Sequence, residues 1–487
     1  MKPAKGEGVY NLVAIGAGTA GLVTAAGTAS LGGRVALIER HKMGGDCLNF
    51  GCVPSKALIS SARLVHKIAH AQDWGLAEQT PRFDLDSVFR RMRARRAQIA
   101  PNDSQARFES LGVDVFRGEA KFLSPHEVEV DGRKVRAKNF VIATGSRAAL
   151  PPIEGLERVP HFTNETIFDD LKGAPESMIV IGGGPIGCEL SQAFGRLGVK
   201  VTLLNRGARI LPKEDPEIAE LIQARLEAEG VTVLNEMEAT SCAERGGTIE
   251  LTYSEKSALG KMRSVSAQTL LIASGRTPNI EQLHLETAGV KYSKRGIETD
   301  ARLQTSQPHI YAIGDVVGPY QFTHMADYHA RIVVRNILMP FGFLRQKLDY
   351  SVVPWCTFVD PEVARVGLSE TEAKKRQIDY DVVQQDFAYV DRAVVENSEA
   401  GFAKVLVKRG SDKILGVTIV AEHAGELIHE FVLAMKHGIG LGKIAGTIHV
   451  YPTFSEVARK AGDQYNKKRL TPFAKKLFGW LYQRQKS

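Results

Sequence analysis

Two copies of one pattern, 166 residues apart, restrict the fold of this chain more than any other feature of it. In "VYNLVAIGAGTAGLVTAAGTASLGGRVALIER" an apolar strand runs into Gly16, Gly18 and Gly21, then a helix, then a strand ending at Glu39. In "SMIVIGGGPIGCELSQAFGRLGVKVTLLNRGAR" Gly182, Gly184 and Gly187 hold the same places, and Asn205 stands where Glu39 does. A strand, a tight glycine turn and a helix make a dinucleotide fold. The glycines let the backbone turn sharply and bring a pyrophosphate against the helix N-terminus. The repeat therefore predicts an α/β chain with two Rossmann-like domains. A carboxylate at Glu39 can accept the two hydroxyls of an adenosine ribose. The second copy lacks that acid. Neutral Asn205 is followed by Arg206 and, one turn on, Arg209. Guanidinium groups pair with a 2′-phosphate that an acid would repel, so NADPH is expected there in preference to NADH.

Further strand ends carry related turns. "FVIATGSRA" and "TLLIASGRTPN" close apolar strands at Gly145 and Gly275, and "TSQPHIYAIGDVVG" closes at Gly314 and Asp315. An acid at a strand's C-terminal end faces the ligand crevice of an open sheet, where it can bind a polyol such as a ribityl chain. A helix N-cap at Asp315 is compatible with that role.

Cysteine usage adds chemistry to the nucleotide sites. Of five cysteines, Cys188, Cys242 and Cys356 stand singly and are expected as small buried residues in a reducing cytoplasm. Cys47 and Cys52 lie together in "GGDCLNFGCVPSK". They could be a staple, half of a metal site or a redox pair. A disulfide closing so small a loop constrains the unfolded chain little. Zinc needs two further ligands and only His41 is near, so no metal is expected. In a regular helix five residues rise about 7.5 Å, beyond the roughly 6.8 Å between Cα atoms that a disulfide tolerates. Asn49 and Gly51 permit an irregular turn that closes the gap. Pro54 suits a first helical turn, which puts Cys52 near a helix N-terminus, where the dipole favours a thiolate. Beside two dinucleotide sites, such a pair suggests a route from nicotinamide through flavin to a disulfide.

The bulk properties set limits. A chain of 487 residues, 44% hydrophobic and 24% charged, has room for three or four soluble domains. No apolar run reaches about 18 residues, so no span is expected and the cytoplasm is the expected location. Lys2 and Lys5 precede a short apolar run that breaks into the first glycine motif, which reads as a strand rather than a signal peptide. The net charge is +8. "RRMRARR", Arg90 to Arg96, reads as a solvated helix face. After Asp463 the chain has no acid and seven basic residues, Lys467 to Lys486. Phe473, Leu477 and Leu481 recur there every four residues, with Phe478 and Trp480 among them. That pattern suits peripheral contact with anionic lipid, a helix packed on its own dimer, or a frayed end. Nucleic acid is not an expected partner.

Jointly, both glycine motifs, "ATGS", "ASGRTPN", "YAIGD", "IHVYPTFSE" and "GGDCLNFGCVPSK" resemble the motifs of the flavoprotein disulfide reductases. That family includes dihydrolipoamide dehydrogenase, glutathione reductase and mercuric reductase, and the likeness covers roughly residues 9 to 465. It implies an FAD-binding domain over residues 1–150 and an NAD(P)H-binding domain over 151–275. A second part of the FAD and central region follows over 276–345, then an α+β dimerisation domain over 346–466 and a basic tail over 467–487. It implies a homodimer. FAD would bind Gly16, Gly18, Gly21, Glu39 and Asp315; NADPH would bind Gly182, Gly184, Gly187 and Arg206 beside Asn205. Gly145 and Gly275 would form flanking cofactor turns. Cys52 would be the charge-transfer thiolate and Cys47 the interchange thiol, with Lys56 near the flavin N5 and paired with Glu189.

One position departs from the family. Disulfide-reducing members have a histidine before the Pro-Thr of the C-terminal motif, oriented by a glutamate four residues after the proline. Here Pro452, Thr453 and Glu456 match, but the histidine position is Tyr451. Tyrosine ordinarily titrates near 10, against about 6.5 for histidine, and does not exchange protons freely near neutrality. His449, two residues earlier, is expected in a structural role. The resemblance is therefore nearest a mercuric-reductase-like branch, without a preceding metal-binding Cys-x-x-Cys domain and with no cysteine after Cys356. The expected acceptor is a small disulfide, a soft metal ion such as Hg(II) or Cu(II), or a quinone. The rival is a redox-sensing binding protein on the same fold.

Overall fold

The computed structural model describes residues 5–255, 261–339 and 341–485; Lys2 and Lys486 lie outside them. The chain divides into two compact units. The first comprises residues 1–64, 82–206 and 236–349, and the second 65–81, 207–235 and 350–487.

In the first unit, parallel strands run in the order Ile310–Ala312, Phe140–Ile142, Leu12–Ile15, Val35–Glu39 and Val113–Arg117. Val13 pairs with Ala36 on one side and Phe140 on the other. Leu12–Ile15 and Phe140–Ile142 are buried throughout, which is why they read as unbroken apolar runs. Leu12–Ile15 lies between the strand that follows it and one that arrives far later in the chain. That reversal of order opens a crevice at the strands' C-terminal ends. The helix Thr19–Ser30 begins at this crevice.

The second glycine motif builds the same arrangement. Ser177–Ile181 pairs in parallel with Lys200–Leu204, which follows it, and with Thr269–Ile272, which comes later; Phe162–Thr163 adds beyond Thr269–Ile272. The helix Pro185–Arg196 starts at its glycine turn. The turns at Gly145 and Gly275 meet each other: Ser146–Ala148 pairs antiparallel with Arg276–Pro278.

The second unit holds an antiparallel sheet in the order Pro354–Thr357, Glu362–Gly367, Ile414–Ala421, Phe402–Lys408, Tyr380–Asp386. Helices Ala424–Lys436 and Glu456–Lys468 press Ile428, Phe431, Val457 and Ala461 onto Val405, Val417 and Ile419. The chain is thus α/β with an α+β C-terminal part. A last helix, Pro472–Arg484, buries no residue. No helix among the described residues is long and apolar enough to cross a membrane.

Two local readings need correction. "RRMRARR" lies in the helix Leu85–Ile99 but is not a wholly solvated face: Met92 is fully buried and Arg96 pairs with Asp169 at 2.5 Å. Burial follows the helical period through the basic run rather than its charge. Cys188 and Cys242 are buried, but Cys356 is half-buried, with its sulfur beside Glu362.

Candidate functional site

Cys47 and Cys52 sit on two helices rather than one. Gly45–Asn49 forms a short helix, the backbone breaks at Phe50 and Gly51, and a long helix starts at Cys52 and runs to Ala69. The Asn49 amide donates to the Met43 and Gly45 carbonyls at 3.0 and 2.8 Å, pinning the first helix. A methyl group on Gly51 would stand 2.9 Å from the Asp46 carboxylate and 3.2 Å from its carbonyl oxygen, so any larger residue at the break would press on Asp46. The same loop packs on the first nucleotide turn. Gly44 N–H donates to the Ala17 carbonyl at 2.9 Å, and a Cβ on Gly45 would come within 2.5 Å of Gly18 Cα.

The two thiols are free and differ sharply in acidity. The Cys47 thiol donates to Cys52, which holds Cys52 down at about 6. That bond, burial and the neighbouring sulfur push Cys47 well above the usual thiol range. The Thr323 hydroxyl lies 3.4 Å from Cys52 Sγ and, with Cys52 ionised, donates to it. Lys56, one turn along the helix, adds positive charge. Its Nζ is 2.8 Å from Oε2 of the buried Glu189. Asp46 works the other way on Cys52, but Arg276 holds it at 3.2 Å.

Both glycine turns have the room a dinucleotide needs. Gly16 and Gly182 have φ of 105° and 122°, and a Cβ on either would collide with the Ala143 or Ala273 carbonyl. A Cβ on Gly21 or Gly187 would collide with the carbonyl of Gly16 or Gly182. These four glycines let helix and strand meet. At Gly18 nothing lies nearer than 3.8 Å, and at Gly184 nothing lies within 4 Å. Those two leave open space over the helix N-terminus, where a pyrophosphate would sit. Glu39 is buried, with one carboxylate oxygen accepting from Ala17 N–H at 2.7 Å and the other from His41 N–H at 2.6 Å. Each oxygen keeps acceptor capacity for a ribose hydroxyl. Asp315 lies in the turn Gly314–Val316, not at its N-cap; burial raises its carboxyl, while Ser146 Oγ, at 2.7 Å, and Arg276 oppose the rise. The residues at both turns fit the pyrophosphate of a dinucleotide, and the first turn adds a carboxylate for a ribose.

The reading position of the second turn is more occupied than its sequence suggests. Asn205 is buried, so a Cβ on Gly183 would meet its side chain at 2.6 Å. Arg206 is mostly exposed and lies 3.6 Å from Glu238, a carboxylate that a 2′-phosphate would have to displace.

Tyr451 and Glu456 lie in the second unit and are not bonded to each other. The Tyr451 hydroxyl donates to Asp391 at 2.8 Å, which pushes its acidity further from neutrality. His449 pairs with Glu430 at 3.0 Å. Glu456 is buried, with Oε1 on Arg459 at 3.0 Å and Oε2 without a hydrogen-bond partner. Among the described residues, the carboxylates close enough to share a metal are Asp215, Glu217 and Glu370, and Lys404 Nζ already binds all three. Sequence reasoning passed over Thr323 and Asp46, and valued "ASGRTPN" for its glycine rather than for Arg276.

The family model for pyridine nucleotide-disulphide oxidoreductases matches residues 10–330, and the model for their dimerisation domain matches residues 353–461. The chain is a pyridine nucleotide-disulphide oxidoreductase. It belongs with FAD-dependent flavoproteins that use a pyridine nucleotide. This oxidoreductase is 35% identical over 462 residues to a mercuric reductase of Lysinibacillus sphaericus, covering 95% of the chain and 83% of that relative. It is 34% identical over 460 residues to a dihydrolipoyl dehydrogenase of Geobacillus stearothermophilus, covering 92% and 94%. Among solved structures it is similar to the Cu(II) complex of the HOCl-induced flavoprotein disulfide reductase RclA from Escherichia coli, at a TM-score of 0.84 and 28% identity. That likeness covers 94% of this chain and 100% of the other.

Proposed function

We propose that this oxidoreductase carries an electron pair from NADPH, through FAD and the Cys47–Cys52 disulfide, to a soft metal ion such as Hg(II) or Cu(II). A small disulfide is the less favoured acceptor. The reading takes the protein as a homodimer joined through residues 346–466, with FAD on residues 1–150 and 276–345 and NADPH on 151–275. The observation that carries it is the unequal thiol pair, with Lys56 and its Glu189 partner on the Cys52 helix.

FAD, when bound, takes the hydride and supplies the electron pair that breaks the S–S bond. Gly16, Gly18, Gly21, Glu39 and Asp315 would hold it, and Lys56 would set positive charge beside its ring. Two electrons and one proton convert the disulfide into a Cys52 thiolate and a Cys47 thiol. With Cys52 held at about 6, that division persists at neutral pH. The Cys47 thiol then has a proton to lose. A disulfide acceptor requires a base to remove it, and Tyr451, tied to Asp391, is poorly matched to that task. A soft cation displaces the proton itself as it binds sulfur. Hg(II) then takes two electrons, and Cu(II) one per ion, as the pair returns to the disulfide. The name of the mercuric reductase relatives and the Cu(II) complex of the structural relative support the same class.

The test is anaerobic reduction of the purified holoprotein with NADPH, followed by Hg(II), Cu(II), lipoamide or glutathione disulfide, in the parent and in Cys47→Ser. Turnover with the metals, weak turnover with the disulfides, and loss of metal turnover in Cys47→Ser are expected. Full metal turnover in that variant would take the dithiol out of the route. Comparing kcat/KM for NADPH and NADH tests the nucleotide preference; Glu238→Gln should raise the NADPH advantage by freeing Arg206.

A further inference from the structure

We propose that the C-terminal helix Pro472–Arg484 docks this protein on the surface of an anionic lipid bilayer. The helix is specified locally. Thr471 accepts from Ala474 N–H at 3.2 Å as its N-cap, and Pro472 sits at the first helical position. None of its residues is buried against the rest of the described chain. An uncovered helix of 13 residues is marginal in water, so it calls for a surface to lie against.

Its side chains say which surface. At the helical period, Phe473, Leu477, Phe478, Trp480 and Leu481 share one side, and each is more than two-fifths exposed. Lys475 and Lys476 fall just beyond the two edges of that stripe. Arg484 falls on the stripe's own side in the last turn and stacks its guanidinium on the Trp480 ring at 4.1 Å, so its stem can lie along the apolar side while the charge reaches past the helix end toward water. An aromatic and leucine stripe bordered by lysine matches the headgroup boundary of a bilayer. The helix measures about 20 Å along its axis, short of the roughly 30 Å hydrocarbon core, so it lies in the plane rather than crossing. Charge chooses the lipid: residues 464–487 carry seven basic side chains and no acid. Anionic headgroups complement that stretch. A second copy packed symmetrically through this helix would set it against itself, like charge on like.

The experiment is flotation of the full-length holoprotein with vesicles of phosphatidylcholine alone, or with about one third phosphatidylglycerol. Three proteins are compared: the parent, Lys475→Glu with Lys476→Glu, and Leu477→Ser with Leu481→Ser. The parent should float with the anionic vesicles and not with the neutral ones, with Trp480 emission moving to shorter wavelength. Either double variant should lower the partition about tenfold or more. FAD content and dimer mass should hold in both, because the altered side chains are exposed. No flotation of the parent overturns the proposal, as does flotation that neither double variant weakens. It also fails if the serine variant dissociates the dimer while the parent ignores vesicles, because a second copy then covers the stripe.

Discussion

At Cys52 the charge is set by its neighbours, in a definite order. The Cys47 thiol contributes most, Thr323 next and Lys56 after it. The consequence can be read by alkylation with iodoacetamide, followed at Cys52 by mass spectrometry. A thiol depressed to about 6 stays ionised as pH falls through neutrality and is protonated only below that value. Alkylation of the reduced protein should therefore show a midpoint near pH 6. Cys47→Ala should move it upward toward the ordinary value of about 8.5. Thr323→Val should move it in the same direction by a smaller step. A midpoint unmoved in Cys47→Ala would leave the helix N-terminus and Lys56 as the source of the charge. These residues differed in how visible they were. Cys47 and Cys52 share one short segment, so their spacing alone exposed them, whereas Lys56 reads locally as an ordinary helix lysine and only the family resemblance singled it out. Thr323 stands 271 positions from Cys52, and only the folded chain brings its hydroxyl there.

The elements that form the nucleotide turns were legible because each glycine answers a local constraint. Which glycine does what was not legible, since "GxGxxG" looks uniform while the contacts are not. Gly187 lets the helix pack on its strand, and a Cβ there would meet the Gly182 carbonyl; Gly184 leaves space open. Gly187→Ala should thus cost about 1–3 kcal/mol of stability through a forced backbone shift. Gly184→Ala should leave stability within about 0.5 kcal/mol of the parent, yet weaken NADPH binding by placing a methyl group where the pyrophosphate goes. Thermal melts with FAD bound, beside NADPH titrations, separate the two effects. FAD content should hold in both variants, because Gly16, Gly18 and Gly21 are intact. If Gly184→Ala binds NADPH as the parent does, the open space is not the pyrophosphate site. The pairing of Ser146–Ala148 with Arg276–Pro278 shows the limit of local reading. Both turns were visible in sequence, but not that they join or that Arg276 then reaches Asp46 and stands 3.7 Å from Asp315.

On the scale of the whole molecule, one buried cation helps organise the second unit. Lys404 on the strand Phe402–Lys408 is almost wholly buried and binds Asp215 at 2.9 Å, Glu370 at 3.2 Å and Glu217. Burial alone would raise the Asp215 carboxyl. Hydrogen bonds from Lys404 and Thr371 outweigh it and hold Asp215 well below the usual carboxylate range. Glu370 is depressed too, its burial outweighed by Tyr380 and Lys404. Lys404→Met strands these charges, at a cost of about 3 kcal/mol, because one partner of a buried pair goes while the others stay. Asp215 keeps its bonds from Thr371 and from Glu370 N–H, which limits the loss. The pH dependence carries the sign. Carboxylates with depressed folded-state values stabilise above their unfolded values, near 4, and lose that contribution as pH falls through the folded ones. The parent should therefore exceed Lys404→Met fully at pH 7, and the gap should close as the solution is acidified toward those lower values. Urea unfolding followed by tryptophan emission reads this unit, because Trp74, Trp355 and Trp480 all belong to it. A gap that persists unchanged into acid would mean that Lys404 acts by packing its stem and not by its charge.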